Sequence, residues 1–315
     1  MKEIKFIKEN IREANILNTI GNTPLFQLKA VTNTLNGVRV YVKAEYFNPS
    51  GSVKDRAAYA MVLDGIKSGR LTKDKTIIDA TSGNTGIAYA MIGTILGYKV
   101  ELCLPKNTSE IRKLLLRAYG AQLIETSPLE SSDGAQLKAI ELVKQNPNKY
   151  FYPDQYNNDA NWKAHINGTA PEIWGQTNKK VTHFIAGMGT SGTFMGTSRG
   201  LKQFNPNIKT IAMQPDSPLH GLEGMKHMKS TIIPGIYDSN LIDETIEVRT
   251  EDAEAMVLRL AKEEGLFVGI SSGANVVAAL NLAKTLPEGS EVVTILCDNG
   301  YRYVNDQIWK GGDAF

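Results

Sequence analysis

The chain has 315 residues, of which 42% are hydrophobic and 22% are charged, and its formal net charge is +2. This is the composition of an ordinary globular protein with a sizeable core, and it gives no electrostatic reason to expect a nucleic-acid or membrane partner. Two cysteines are too few for a disulfide framework, and residues 1–18 contain no apolar stretch of the kind that directs export. We therefore expect a cytoplasmic globular protein.

Short β-branched runs alternate with helical patterns along the chain. The runs that predict strands are residues 38–43, 76–79, 99–104, 122–125, 183–186, 210–213 and 291–296. The stretches that predict helices are residues 56–68, 86–96, 109–119, 251–264 and 275–284. Most of the strands are too apolar to be half exposed, as is typical of strands covered on both faces. The alternation predicts an α/β fold with mainly parallel sheets, in which ligands bind where strand ends meet helix N-termini.

The first of four glycine-rich turns, residues 48–56, leads directly into a predicted helix and places Lys54 near its start. The helix dipole at that position lowers the cost of leaving the amine neutral. A neutral amine is what a Schiff base requires. For a single lysine at a helix start, a solvated side chain is the ordinary alternative.

The second turn, residues 81–86, has the sequence Thr-Ser-Gly-Asn-Thr-Gly between a predicted strand and a predicted helix. Three hydroxyls and exposed backbone N–H groups at a helix N-terminus form an anion site suited to a carboxylate. A plain helix cap would need only one Ser or Thr. A further turn, residues 269–274, also precedes a helix, and by itself it indicates only such a cap.

The remaining turn, residues 187–193, contains G-x-G-x-x-G after a predicted strand. In dinucleotide-binding folds an acid about 20 residues further on binds the ribose, a position that Asp216 could take. However, the motif lies in the middle of the chain, and the hydroxyls of Thr190, Ser191 and Thr193 suit a phosphate monoester better than a pyrophosphate. A nicotinamide-dependent oxidoreductase stays open as an alternative of a different class.

Taken together, the segments NPSGSVKDR, TSGNTG, PDQYNN, GTSGT and GISSGA resemble the cysteine synthase (O-acetylserine sulfhydrylase) branch of the fold-type II pyridoxal-phosphate enzymes. The resemblance extends from Ile20 to Tyr303. It implies a two-domain, tryptophan synthase β-like α/β fold with mainly parallel twisted sheets flanked by helices. Residues 45–155 would form a smaller, mobile domain, and residues 1–44 and 156–315 a larger domain that binds the cofactor phosphate. The resemblance also implies a homodimer.

The resemblance implies a role for each matching residue. Lys54 would be the catalytic residue and would hold pyridoxal 5'-phosphate as a Schiff base. The other cofactor contacts would be Asn84 at the phenolic oxygen, Ser271 at the pyridine nitrogen, and Gly189, Thr190, Ser191, Gly192 and Thr193 at the phosphate. The substrate carboxylate would be bound by Thr81, Ser82, Thr85 and Gln155. We expect no metal, because the four histidines lack metal-ligand spacing.

The activity that the resemblance implies is β-replacement. An activated serine, O-acetylserine or O-phosphoserine, would lose its β-substituent to give an aminoacrylate. The sulfur donor, sulfide or thiosulfate, would add to it on the way to L-cysteine. Ser271, unlike an aspartate, would not hold the ring nitrogen protonated, which favours loss of the leaving group over transamination. A cysteine β-lyase and a cystathionine β-synthase-like enzyme share the steps up to the aminoacrylate. The absence of a haem-binding extension and a regulatory domain disfavours the latter. Serine acetyltransferase is the protein partner to which the resemblance points.

Two features resemble the B-type isozyme of this family. The segment of residues 221–235 is longer than in A-type enzymes, and Lys226 stands where relatives that use O-phosphoserine have an arginine. A lysine there would pair with a substrate phosphate or lie in solvent, without the bidentate fork of arginine. Cys297 stands where A-type enzymes have a serine, and the B type accepts thiosulfate as sulfur donor. A small buried hydrophobe is the alternative for Cys297.

Overall fold

The computed structural model describes residues 15–81 and 83–309. The chain forms two compact units. The smaller unit is the continuous segment Lys54–Asn161, and the larger unit combines the chain up to Val53 with the chain from Trp162 onward. The domain bounds inferred from the resemblance, and the mobility of the smaller domain, stay predictions.

Strands and helices alternate through both units, with ten strands and nine α-helices in the described part of the chain. The strands are β1 (Leu25–Gln27), β2 (Arg39–Ala44), β3 (Thr76–Ala80), β4 (Val100–Pro105), β5 (Gln122–Thr126), β6 (Tyr150–Phe151), β7 (His183–Gly187), β8 (Lys209–Pro215), β9 (Glu244–Val248) and β10 (Glu291–Leu296). The α-helices are α1 (Lys54–Lys67), α2 (Asn84–Leu96), α3 (Glu110–Ala118), α4 (Ser131–Gln145), α5 (Asp159–Asn167), α6 (Thr169–Gln176), α7 (Gly192–Phe204), α8 (Thr250–Glu264) and α9 (Ile270–Ala283). Short 3-10 helices are Ile16–Thr19, Glu45–Phe47, Pro128–Glu130, Ser239–Leu241, Gly300–Tyr303 and Gln307–Trp309.

The larger unit is built on a six-stranded sheet with the order β1-β2-β10-β7-β8-β9. Only β1 is antiparallel to its neighbour, so the other five strands end at the same edge of the sheet. Every residue of β10 is buried. Val292 and Leu296 pack into one hydrophobic cluster with α8 and α9, and Val293 and Ile295 pack into another with α6 and α7. Helices therefore cover both faces of this sheet, as its apolar strands predict.

The smaller unit contains a four-stranded sheet with the order β5-β4-β3-β6, in which all pairs are parallel. Ile78 of β3, Cys103 of β4 and Tyr150 of β6 pack against Ala135 and Ala139 of α4. No helix in the described part of the chain is long and apolar enough to cross a membrane.

The predicted α/β class, all seven predicted strands and all five predicted helices are confirmed. Three strands were missed, namely β1, β6 and β9. Two of these contain only two or three residues, and β9 is a partly exposed edge strand that carries two glutamates. The start of α9 was predicted wrongly at residue 275, because the helix begins at Ile270 and so includes Ser271 in its first turn.

Candidate active site

The site in the larger unit is built from polar segments at the carboxyl edge of its sheet. The turn after β7 leads into α7, α9 begins after Gly269, and Cys297 follows β10. Because β7 and β10 are neighbouring strands, these segments lie side by side. The hydroxyl of Ser272, in the first turn of α9, accepts the backbone N–H of Cys297 at 2.8 Å. The ends of β10 and the start of α9 are thereby joined.

The start of α7 is arranged to bind an anion. Ser191, its N-cap residue, has a φ of +69° and offers no side-chain cap to the helix. The residue is 2% exposed, and its Oγ has no hydrogen-bond partner among the described residues. A non-glycine residue in the left-handed region and a buried hydroxyl without a partner each cost free energy. An anion at this N-terminus would satisfy the hydroxyl and the uncapped N–H groups, and the helix dipole favours negative charge there.

Two threonines lie close to Ser191 in the sequence, and one of them, Thr193, is held by a neighbouring helix. Thr190 is 8% exposed, and Thr193 places its Oγ1 3.3 Å from Nε2 of His165. The His165 ring is buried, and its Nδ1 lies 2.9 Å from Oγ1 of Thr169. His165 therefore sits between two threonine hydroxyls and fixes the orientation of Thr193, a role that the sequence did not indicate.

A second segment packs on this turn and carries Lys226. A Cβ at Gly189 would collide with the carbonyl oxygen of Gly224, so only glycine fits there. The backbone N–H of Lys226 donates to the carbonyl oxygen of Met188 at 2.8 Å. The Lys226 ammonium donates to Oγ1 of Thr231 at 2.9 Å. The structure thus brings the Lys226 backbone to the anion-binding turn and gives its side chain a partner within its own segment.

Ser271 lies in the first turn of α9, and one turn further on Asn275 holds the neighbouring strand ends together. Asn275 is 1% exposed, and its Oδ1 accepts the backbone N–H of Gly187 at 2.8 Å. Its Nδ2 donates to the carbonyl oxygen of Ile295 at 2.8 Å and lies 3.4 Å from Sγ of Cys297. The sequence analysis missed Asn275. Its signal was a polar residue four positions after Ser271 in an otherwise apolar run.

The chain that leads to Lys54 is attached to the end of β10. The backbone N–H of Val53 donates to the carbonyl oxygen of Cys297 at 2.8 Å, and Ser52 pairs with Asp298 in an isolated antiparallel bridge. Lys54 follows directly as the first residue of α1. The predicted position of this lysine at a helix start is therefore confirmed.

In the smaller unit, the turn after β3 leads into α2. Asn84 is the first residue of this helix, and Gly83 before it supplies no side-chain cap. The backbone N–H of Thr81 donates to the carbonyl oxygen of Cys103 at 3.1 Å, and Thr81 Oγ1 accepts the N–H of Gly83 at 3.3 Å. Ser82, predicted to bind the substrate carboxylate, lies outside the described residues.

Gln155 approaches the same turn from a distant part of the sequence. Oγ1 of Thr85 donates to Oε1 of Gln155 at 3.1 Å, although the two residues are 70 positions apart in the chain. This bond leaves the Nε2 donors of Gln155 for another acceptor. Nδ2 of Asn161 donates to the Gln155 carbonyl oxygen at 2.7 Å and fixes its backbone. The structure therefore brings together Thr85 and Gln155, as the sequence analysis expected.

The start of α7 fits the phosphate group of pyridoxal phosphate, a phosphorylated aromatic aldehyde. Its uncapped N–H groups and the buried Ser191 hydroxyl suit a phosphate monoester. Nothing in the described residues points to a metal centre instead, since no three His, Cys, Asp or Glu side chains come together there.

The sequence pattern of the family described as "Pyridoxal-phosphate dependent enzyme" matches residues 16–298 of this chain. The fold and the site therefore define an enzyme that depends on pyridoxal phosphate. The nicotinamide alternative, which would leave Lys54 without a role, receives no support.

The relatives narrow this class. The chain is 50% identical over 303 residues to "Cysteine synthase" of Aquifex aeolicus, covering 95% of this chain and 93% of the relative. It is 40% identical over 291 residues to "Cysteine synthase B" of Escherichia coli, covering 92% and 94%. The crystal structure of cysteine synthase from Entamoeba histolytica matches with a TM-score of 0.91 and 39% identity, covering 96% of this chain and 92% of that one. The chain belongs to the cysteine synthase family of pyridoxal-phosphate-dependent enzymes.

Proposed function

We propose that this protein synthesises L-cysteine by β-replacement on an O-activated L-serine, with Lys54 as its catalytic base. The observation that carries the proposal is the uncapped start of α7 with the buried hydroxyl of Ser191, because the rest of the site depends on an anchored cofactor phosphate. The identity to cysteine synthases over most of the chain supports the reaction type.

When bound, pyridoxal phosphate supplies a sink for the electron pair left on the substrate Cα. Lys54 would hold the cofactor before substrate binds, and its amine, once released, would take the Cα proton and hold it on Nζ. We assign the cofactor phosphate to Gly189, Thr190, Ser191, Gly192 and Thr193, the phenolic oxygen to Asn84 and the ring nitrogen to Ser271. Because Ser271 is a neutral hydroxyl, it gives the ring nitrogen no full charge to pair with.

The turn before α2 binds the substrate carboxylate in this proposal. Since the Thr85 hydroxyl donates to Oε1 of Gln155, the donors that we assign to the carboxylate are Nε2 of Gln155, the Thr81 hydroxyl and the backbone N–H groups of the first turn of α2. Ser82 belongs to the same assignment. With the carboxylate held there, the Cα proton passes to Lys54 and the Cβ–O bond breaks with loss of acetate or phosphate. The Cβ–S bond then forms with the incoming sulfur, and the proton returns from Nζ to Cα.

The test is an assay of the purified holoenzyme. We expect O-acetylserine with sulfide to give L-cysteine, and K54A to lower kcat by about 10³-fold, as loss of a positioned base does. The matched control is K67A at the exposed last position of the same helix, which should leave kcat unchanged. Equal activity of K54A and wild type would overturn the assignment of Lys54. If L-cysteine is consumed to sulfide and never formed, the β-lyase replaces the synthase.

The choice of donors is tested in the same assay. O-phosphoserine and thiosulfate replace O-acetylserine and sulfide in turn, and K226A is compared with wild type. If Lys226 binds a substrate phosphate, K226A raises KM for O-phosphoserine and leaves KM for O-acetylserine unchanged. If KM for both donors stays at the wild-type value, Lys226 does not bind a substrate phosphate.

The family resemblance supports two further proposals, namely that the enzyme is a homodimer and that serine acetyltransferase is a partner. A third proposal, that the enzyme is cytoplasmic, is supported by its two cysteines, which are too few for a disulfide framework. Light scattering of the holoenzyme gives its mass, and a mass of one chain would contradict the first. Co-purification with a serine acetyltransferase tests the second.

A further inference from the structure

A buried carboxyl group lies just before the turn to which we assign the substrate carboxylate. Asp79 is the second-last residue of β3 and is 1% exposed. Its Oδ1 accepts the backbone N–H of Ala80 at 2.7 Å. Its Oδ2 is buried and has no hydrogen-bond partner among the described residues. An ionised carboxylate is costly in such a place, whereas a protonated one is not.

The titratable groups coupled to Asp79 by their charges come from three parts of the smaller unit. They are Tyr89 of α2, Cys103 of β4, and Tyr152, Asp154 and Tyr156 of the segment after β6. Each is neutral or acidic, so none of them stabilises a negative charge as a cation would. The charges of Glu101 and Lys138 act in turn on Cys103, and that of Asp133 acts on Tyr156. Burial raises the pKa of Asp79 to about 7, opposed by the Ala80 N–H, raised further by Asp154 and lowered by the Tyr89 hydroxyl.

The pairing of β3 with β6 brings together the two segments that form the proposed carboxylate site. Asp79 is two residues before Thr81. β6 is the parallel neighbour of β3, with Ile77 opposite Phe151, so residues 152–156, which contain Gln155, continue beside the end of β3. Tyr89 belongs to α2, the helix that begins directly after the turn. A change at Asp79 therefore reaches the turn, its helix and the Gln155 segment together.

We propose that Asp79 is a positioning residue whose protonated form holds the turn and the Gln155 segment in the arrangement that binds the substrate carboxylate, and whose ionised form weakens that binding. The inference rests on the proposed function of this turn. Ionisation has two consequences. The charged Oδ2 has no partner and repels Asp154, which lies in the same segment as Gln155. A further negative charge also appears in a poorly screened interior next to a bound anion. The affinity for a carboxylate therefore falls as the pH rises through the range in which Asp79 ionises.

The test measures the affinity for L-cysteine from the visible absorbance of the bound cofactor. The pH runs from about 6 to about 8.5, a range that includes the raised pKa of Asp79, about 7. The variant is D79N, which keeps the shape and cannot ionise. We expect the ratio of the wild-type Kd to the D79N Kd to rise about tenfold across this range, as for one added charge at short distance. The matched control is E101Q, a buried acid on the neighbouring strand that bonds to Tyr150. In E101Q the pH dependence should equal that of wild type. An unchanged pH dependence in D79N would overturn the proposal.

A second measurement does not depend on the proposed function. Hydrogen–deuterium exchange of the ligand-free holoenzyme, compared at equal pH, should be faster in wild type than in D79N for amides 80–86 and 154–156 above pH 7, and equal at pH 6. A second variant, Y89F, removes a group that lowers the Asp79 pKa, so it should move the onset of fast exchange to higher pH. If no variant binds L-cysteine, the proposed function fails, while exchange still decides the role of Asp79. Exchange that is the same in all three proteins at every pH contradicts that role.

Discussion

At the scale of single residues, Asn275 joins the ends of two neighbouring strands through one buried amide. It accepts from Gly187 at the end of β7 and donates to Ile295 near the end of β10. Both strand ends lead directly into the candidate site, the first through Ser191 and the second through Cys297. We therefore regard Asn275 as the residue that sets the spacing between the phosphate-binding turn and the end of β10.

Asn275→Ala should destabilise the protein by about 2–3 kcal/mol, because it leaves a backbone N–H and a carbonyl oxygen buried without partners. It should also weaken cofactor binding, since the turn after β7 loses its support. Urea unfolding and titration of the apoenzyme with pyridoxal phosphate measure the two effects. N281A is the matched control, because Asn281 lies on the same helix and is exposed. Equal effects of the two substitutions would contradict the role of Asn275.

The sequence predicts the candidate residues that lie in contiguous turns, because each glycine- and hydroxyl-rich turn carries its chemistry in neighbouring positions. Lys54 and Ser191 are examples. It does not predict Asn275 or His165, since their roles come from contacts with residues far away in the chain: 88 positions between Asn275 and Gly187, and 28 between His165 and Thr193. The partners in such contacts cannot be inferred from local sequence, in which Asn275 shows only as a polar residue in an apolar run.

At the scale of elements, α8 and α9 pack closely because Gly273 has no side chain. A Cβ at Gly273 would collide with the carbonyl oxygen of Ala253 and lie 2.7 Å from Cγ1 of Val257. This close approach also explains why the start of α9 was predicted wrongly. The sequence Gly-Ile-Ser-Ser-Gly is typical of a turn, yet its second glycine serves helix packing within α9.

Gly273→Ala should destabilise the protein by about 1–3 kcal/mol, because overpacking forces α8 and α9 apart. The control is the same substitution at Gly175 in α6, where a Cβ meets nothing within 4 Å. There the change should stabilise the protein by about 0.5–1 kcal/mol, through the better helix propensity of alanine. Thermal unfolding of both variants measures these opposite signs, and a shift of the same sign and size in both would refute the packing argument.

Asp243 connects α7 to β8. Its Oδ2 accepts from Nζ of Lys202 at 2.8 Å and from the backbone N–H of Thr210 at 2.8 Å. Burial alone would raise the pKa of Asp243, but the hydrogen bonds from Lys202 and Thr210 outweigh burial and lower it to about 2. The ionised form is thus favoured in the folded state, and its contribution is present above the ordinary pKa of 3.8.

Asp243→Asn should therefore lower the free energy of unfolding at neutral pH by about 1–2 kcal/mol, with the partial exposure of the pair taken into account. The difference from wild type should shrink as the pH falls from about 4 towards about 2, because the wild-type carboxylate then becomes protonated. Urea unfolding at several pH values measures it. D216N, at an exposed position after β8, should show no such trend. A difference that stays constant down to the lowest pH would speak against the charged pair.

At the scale of the whole molecule, each compact unit has its own sheet and its own buried cluster, and each contains one of the two cysteines. Cys103 belongs to the core of the smaller unit and Cys297 to the larger unit. The pKa of the Cys103 thiol is raised to about 12, mainly by burial and next by the negative charge of Asp79. This thiol is therefore unreactive while its unit is folded.

We expect the two thiols to become reactive at different urea concentrations, because two units with separate cores need not unfold together. Alkylation at each urea concentration, followed by mass spectrometry of the two cysteine peptides, gives one unfolding curve for each unit. Tryptophan fluorescence provides a check, since Trp162, Trp174 and Trp309 all belong to the larger unit. Its curve should follow that of Cys297. Coincidence of all three curves would mean that the units unfold as one.

The strand order of the larger unit has a consequence for synthesis on the ribosome. β10 lies between β2 and β7, and Arg39 of β2 bonds to Glu291 of β10 across 252 positions of sequence. β10, in the middle of that sheet, is thus its last strand to be translated. Until then the edge of β2 that pairs with β10 has no partner strand. The smaller unit is one continuous segment, and its strands are all available long before. A nascent chain can therefore fold its smaller unit while the sheet of the larger unit still lacks β10. At this stage the edges of β2 and β7 are unpaired, so a chaperone would be most useful then.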